Sequence, residues 1–135
     1  MKNMKIEAII KEQEQIMKQF GRDSEEFREF YKTFNNGTWT VVSYYVRSKE
    51  KGFDEIVFDN DACIWEKDVA DIVEFCREAK IGWFVFGSGY SRAMEVIMHF
   101  VDAGAKVGKF VVKEYKDSRW GEEEIVRVPG MRINL

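Results

Sequence analysis

The stretch from Ile81 to Tyr115 constrains this chain more than any other. A short apolar run, Trp83-Phe84-Val85-Phe86, meets the bend Gly87-Ser88-Gly89, an amphipathic pattern follows, and a second apolar run, Phe110-Val111-Val112, closes the stretch. Short apolar runs bounded by turn residues read as buried strands, and apolar residues at three- and four-residue spacing read as a helix. The order is therefore strand, helix, strand, and the connection is long enough to return the second strand parallel to the first.

The remaining segments fall in around that unit. Ile6, Ile9, Ile10, Gln13, Ile16, Met17 and Phe20 draw one stripe along a first helix that stops near Gly21. Asp23 to Glu26 has the spacing of a capping box, and Phe27, Phe30, Tyr31 and Phe34 define a second helix, broken by Asn35-Asn36-Gly37. Residues 38–50 are rich in β-branched and aromatic side chains, which suits a strand. Yet Val41, Tyr44, Tyr45 and Ser48 share a helical face and Gly52 supplies a stop, which favours a helix.

Residues 55–58 then read as a short strand, and residues 65–79 as a surface helix burying Trp65, Val69, Ile72, Val73, Cys76 and Ala79. After the strand at 81–86, a helix from Tyr90 buries Tyr90, Ala93, Met94, Ile97, Phe100 and Val101 and ends at Gly104. Strands at 107–115 and 125–135 flank a turn-rich connector at 116–121. Pro129 has no N–H for a ladder, which places the last strand at an edge or at a bulge. The pattern predicts one α/β domain over residues 1–135. Its core is a mixed, mostly parallel four-stranded sheet in βαβαββ order, with an N-terminal helical layer of two to three helices. Right-handed crossovers put both connecting helices on one face and leave the other face to the N-terminal helices.

A chain of 135 residues, 45% hydrophobic and 33% charged, suits one soluble domain, and its 15% aromatic share supplies more ring surface than one small core requires. Acidic and basic residues are mixed and sum to −3, so no basic stripe offers itself to a phosphate backbone, and nucleic acid is disfavoured as a partner. No run of about 18 apolar residues is present, so no membrane partner is expected. Cys63 and Cys76 have the spacing neither of a metal knuckle nor of a redox pair, and no secretory segment precedes the first helix, which points to a reduced, cytoplasmic setting. His99 is the sole histidine, which rules out a histidine-rich metal site, and no metal or cofactor is implied.

Ligands of open α/β sheets collect beyond the carboxyl ends of parallel strands, here Phe58 to Asp61 and Phe86 to Arg92. Asp59, Asp61, Ser88, Gly89, Ser91 and Arg92 are accordingly the candidate ligand-binding residues, and no catalytic residue is assigned. Gly87 to Arg92 would present backbone N–H groups, hydroxyls and a guanidinium to an anion near a helix N-terminus. The signal is not specific, because the dinucleotide fingerprint needs a third glycine where Arg92 stands and the Gly-Lys-Ser/Thr of a phosphate loop is absent. A tight turn capped by Ser88 or Ser91 accounts for the same residues.

Asp59-Asn60-Asp61 after Ile56-Val57-Phe58 resembles the nucleophile motif of haloacid-dehalogenase-type phosphatases, and Ser88 ends a later strand as that family's second motif does. The resemblance implies carboxylate attack on phosphorus with Mg²⁺ bound. It departs at Ala62-Cys63, where the family has Gly-Thr, and a late acidic pair and an inserted flap are missing. Asp59 and Asp61 otherwise turn the chain and favour the start of the next helix. His99 falls with Arg92, Glu95 and Asp102 on the polar side of its helix, in reach of Glu95. Met94 and Met98 read as core, Cys63 as a loop thiol and Cys76 as a core packer.

Ile64-Trp65-Glu66-Lys67-Asp68-Val69, the run Phe84 to Ser91, Met94-Glu95-Val96, the Gly104 stop and the closing Gly121-Glu122 to Val128-Pro129 are together similar to a family of small uncharacterised proteins of Firmicutes, often found in mobile-element settings. The resemblance runs from Asp54 onward. It implies an α/β domain and a helix over residues 38–50, and it implies no reaction. With no complete catalytic constellation and aromatic surface to spare, the residues favour a non-enzymatic cytoplasmic binding or interaction protein. Its partner would be an unknown protein or a second copy, as in a homodimer formed through aromatic surface or an exposed sheet edge. The alternative is a small-molecule or phosphate-ligand protein, phosphatase-like at the extreme, that uses the Asp59/Asp61 and Ser88–Arg92 loops.

Overall fold

A computed structural model of the chain describes every residue except Asn60, Ser88, Tyr90 and Trp120, with the backbone alone at Arg119. Three helices come first, α1 (Met4–Phe20), α2 (Glu25–Lys32) and α3 (Asn36–Glu50), and each starts at a side-chain cap. Asn3, Ser24 and Asn35 accept hydrogen bonds from the backbone N–H groups of Ile6, Phe27 and Thr38, which no intrahelical carbonyl can reach. The cap of α2 is thus Ser24 rather than Asp23, and Asn35 starts a helix where the residue types suggested a break. Burial of Trp39, Val41, Val42, Tyr44 and Tyr45 explains why residues 38–50 are helical despite their strand-like composition, since packing outweighs local preference. α4 (Val69–Glu78) follows a 3₁₀ turn at Glu66–Asp68. Gly37 marks its crossing with α3, where a Cβ would stand 2.7 Å from the Asp71 Cβ and 2.9 Å from the Ile72 nitrogen.

β1 (Val57–Phe58), β2 (Trp83–Phe86), β3 (Lys106–Arg119) and β4 (Glu122–Asn134) form one sheet of order β1-β2-β4-β3. β1 and β2 are parallel, with Val57 opposite Val85, and β4 is antiparallel to both its neighbours. The expected mostly parallel sheet is therefore corrected to a mixed, mostly antiparallel one. β3 does return in the direction of β2, by way of α5 (Ala93–Asp102), but β4 lies between them. Side chains explain the order: β4 brings the buried Val128 and Ile133 inward, while β3 carries Lys106, Lys109, Lys113, Glu114 and Lys116, which suit an edge.

Pro129 sits in this inner strand because β2 ends at Phe86, opposite Met131. Two residues further on, β4 has only β3 as a ladder partner, at Val112. The bulge lies on β3 instead, between Val107 and Phe110. Past β2 the hairpin continues as a two-stranded ribbon, so residues 116–119, expected as a connector, are strand. Polar residues on both faces left no alternation to mark them.

Among the described residues, the helices share one core on one face of the sheet, α1 and α2 reaching it by way of α3. Residues of α1 to α5 share a core with Ile56, Phe58, Phe84, Phe86 and Ile133, whereas on the other face Val57, Val85 and Val128 form a small cluster with Phe53, with Val111 and Tyr115 alongside. The N-terminal helices thus extend the layer of α4 and α5 and do not form a separate layer across the sheet. α5 is rolled from its expected orientation, burying Val96, Ile97 and Phe100 and leaving Met94 and Met98 67% and 63% exposed. Phe100 fixes that roll through edge contacts with Phe84 and Phe86, centroids 5.2 and 6.0 Å away.

α3 also closes the outer edge of β1. The buried Ser48 hydroxyl accepts from the Val57 N–H at 2.9 Å and donates to the Val57 carbonyl at 3.4 Å, in place of a neighbouring strand. Ser48→Ala should strand that buried N–H and lower stability by about 1–3 kcal/mol, measured by urea unfolding. An unchanged midpoint would show that the hydroxyl is not the group that satisfies β1.

Candidate functional site

Because β1 and β2 run the same way, their carboxyl ends open on a shared edge, and there the structure holds a cleft of 520 Å³. Ala62, Ile64, Phe86, Ala93 and Val96 make its apolar floor. Trp65, Glu66 and Lys67 form one wall, Ser91, Arg92, Glu95 and His99 the other, and Cys63 stands on the rim. The first wall follows from an extended backbone after β1, in which buried Ala62 and Ile64 alternate with exposed Cys63 and Trp65. Trp65 precedes the 3₁₀ turn and is 62% exposed, so it belongs to the cleft and not to the buried face of α4. The second wall is the start of α5, whose N-cap residue, Arg92, makes no side-chain capping bond.

Polar groups of the cleft meet both across it and along one wall. His99 Nε2 lies 3.3 Å from Glu66 Oε1, which ties helix to loop, and Glu95 takes Arg92 at 2.8 Å. His99 is therefore matched with Glu66, a partner that helical spacing within α5 had no means to suggest. The Arg92–Glu95 contact raises the guanidinium pKa further above its ordinary value.

The expected site residues separate into two groups. Ser91 and Arg92 line the cleft, Gly89 is exposed in the loop before them, and Ser88 lies outside the described residues. Asp59 and Asp61 lie off the cleft lining, turned to the end of α3. The buried Asp59 is gripped by Lys51, with Arg47 3.9 Å from its other oxygen, and Asp61 takes Arg47 at 2.7 Å. Burial, reinforced by the Asp61 carboxylate, raises the Asp59 pKa, while contact with Asp59 and the Arg47 guanidinium lowers that of Asp61. Both carboxylates are committed to cations of the chain, and among the described residues no three His, Cys, Asp or Glu side chains are placed to hold a metal. With Asp59 held by Lys51 and Asp61 by Arg47, the pair does not present the free anionic oxygens that a Mg²⁺ site needs.

Cys63, Trp65, Glu66, Lys67, Glu95 and His99 are among the cleft residues that pattern reading missed. An apolar residue at each of positions 62–65 hid the two-residue alternation that puts Trp65 in the cleft, and His99 acquires its partner only through the fold.

Residues 40–135 match the family model described as Domain of unknown function (DUF7698). The chain belongs to this family. The matched span holds the whole cleft, the sheet and most of α3, while α1 and α2 precede it. No curated protein and no solved structure matches the chain. Among the described residues no helix is long and apolar enough to cross a membrane.

The ion pair beside the cleft has a pH signature. Lys51→Met leaves the buried Asp59 carboxylate with Arg47, at 3.9 Å, as its remaining cation and should cost roughly 2 kcal/mol at neutral pH, between the values for exposed and buried pairs. Since Asp59 titrates above its ordinary value when folded, ionising it weakens the fold as pH rises through that window. The variant's deficit should therefore shrink as pH falls and Asp59 becomes neutral. A deficit constant across acid pH, followed by urea unfolding, would remove Asp59 from the account.

Proposed function

We propose that the protein is a non-enzymatic binding protein that takes a compact molecule, with an apolar or aromatic body and a polar group, into the cleft at the ends of β1 and β2. The observation that carries this reading is the cleft itself: its 520 Å³ lies within the range of about 300–1,000 Å³ common for small-ligand sites, and its lining combines an apolar floor with a few convergent polar groups. Phe86, Val96 and the exposed Trp65 suit the apolar body, while Arg92, Lys67 and the His99–Glu66 pair surround its polar end. Binding is favoured over chemistry because Asp59 and Asp61, the carboxylates a phosphatase-like reaction would need, are held by Lys51 and Arg47 off the cleft lining.

Cys63 reports on occupancy, since it lies on the rim whereas burial pushes the Cys76 thiol up to about 12 and keeps it inert. A thermal-shift panel of aromatic and aliphatic acids and amines, nucleotides and inorganic phosphate should yield compounds that raise Tm, by roughly 2.7 kcal/mol of added stability at a hundredfold excess over Kd. The same compounds should slow alkylation of Cys63, and Ala93→Phe, which fills the floor, should abolish both effects while leaving the protein folded. A panel without a single stabilising compound, or compounds indifferent to Ala93→Phe, would contradict the proposal.

A further inference from the structure

The two edges of the sheet are treated differently: Ser48 and α3 seal β1, while the outer side of β3 has no ladder partner among the described residues. We infer that β3 pairs antiparallel with β3 of a second copy, about a two-fold axis at Tyr115, to make one continuous sheet across a dimer.

The register follows from three constraints. In an antiparallel ladder the residues whose backbone groups point outward alternate, so outward residues must meet outward residues and the two-fold axis must pass through a residue. The bulge between Val107 and Phe110 limits the regular edge to the run from Phe110 to Arg119. Within that run charge decides. Centring on Lys113, Glu114, Lys116 or Asp117 sets that residue against its own copy, like charge on like, and centring on Val112 leaves only a short overlap. Centring on Tyr115 pairs residues 111–119 and places Glu114 opposite the partner's Lys116 and Lys113 opposite the partner's Asp117, each contact made twice by symmetry. Lys113 is already held inward by Glu55, at 2.7 Å, so the Glu114–Lys116 contact carries the choice of register. The same lysines that oppose other registers thus select this one. Val112, 49% exposed, gains cover from the partner's Ser118.

The test uses the full chain and two single reversals, Glu114→Lys and Lys116→Glu, with sedimentation velocity over a concentration series at low salt and circular dichroism to confirm folding. The wild-type protein should dimerise. Either variant alone should dimerise on the order of tenfold more weakly, because residue 114 then meets residue 116 of the same sign. An equimolar mixture of the two should recover the wild-type dimer, since every 114–116 contact is again between opposite charges. Lys116→Glu leaves the Glu114–Arg127 contact within the subunit intact, at 3.3 Å, so its effect reads the interface even if Glu114→Lys does not fold. A wild-type protein monomeric throughout, a dimer indifferent to both reversals, or a mixture of folded variants that stays monomeric would each overturn the inference.

Discussion

A row of aromatic rings runs through the centre of this molecule, and the placement of every other part depends on it. Tyr44 of α3 meets Phe58 of β1 at 4.8 Å between centroids, Phe58 meets Phe84 of β2 at 4.8 Å, and Phe84 meets Phe100 of α5 at 5.2 Å. These tilted and edge-on contacts are the geometries aromatic quadrupoles favour, and they add to the burial of large apolar surface. The row joins the last of the N-terminal helices to the sheet and the sheet to α5, which is why α3 and α5 share one face. By fixing Phe100 it also sets the roll of α5, and that roll determines that Val96 and His99 line the cleft while Met94 and Met98 face solvent.

β1 contributes only two ladder residues, which is little on its own to hold a strand in place. Its position is set from outside the ladder: Ser48 satisfies one edge, Phe58 is clamped in the ring row, and Asp59 is drawn to Arg47 of α3 and to Lys51, the C-cap residue of that helix. Taking a carboxylate out of water is costly unless a cation and further contacts compensate, and here the end of α3 supplies both cations. Residues 62–65 leave that anchor in an extended conformation and carry Trp65 to the cleft. A buried ion pair at the strand end thereby positions a wall of the cleft without being part of its lining.

Much of this was legible in the residues. The five helices, the strands around Val57 and Val85 and their common direction all follow from apolar spacing and turn chemistry. So does the shared edge on which the ends of β1 and β2 open. Sheet order was not legible, because Pro129 argues for an edge strand and only the short length of β2 makes an inner position tolerable. The carboxylates at 59 and 61 were read as site residues because sequence shows their closeness to a strand end, and it does not show that α3 lies beside them with two cations. Trp65 and His99 escaped for the complementary reason, since neither has a local pattern that sets it apart. Much of the excess of aromatic residues, which suggested surface to spare, went into the ring row and the neighbouring stack of Tyr31 on Trp39.

The central claim is that β1 and β2 lie side by side and run the same way, so that their ends share an opening. Through-hydrogen-bond NMR couplings test it directly. A parallel ladder predicts a coupling from the Val85 N–H to the Ile56 carbonyl and another from the Gly87 N–H to the Phe58 carbonyl, contacts of 2.9 and 2.7 Å in the structure. Reciprocal couplings between Val57 and Val85, or no coupling between the two segments, would contradict the architecture and remove the cleft with it.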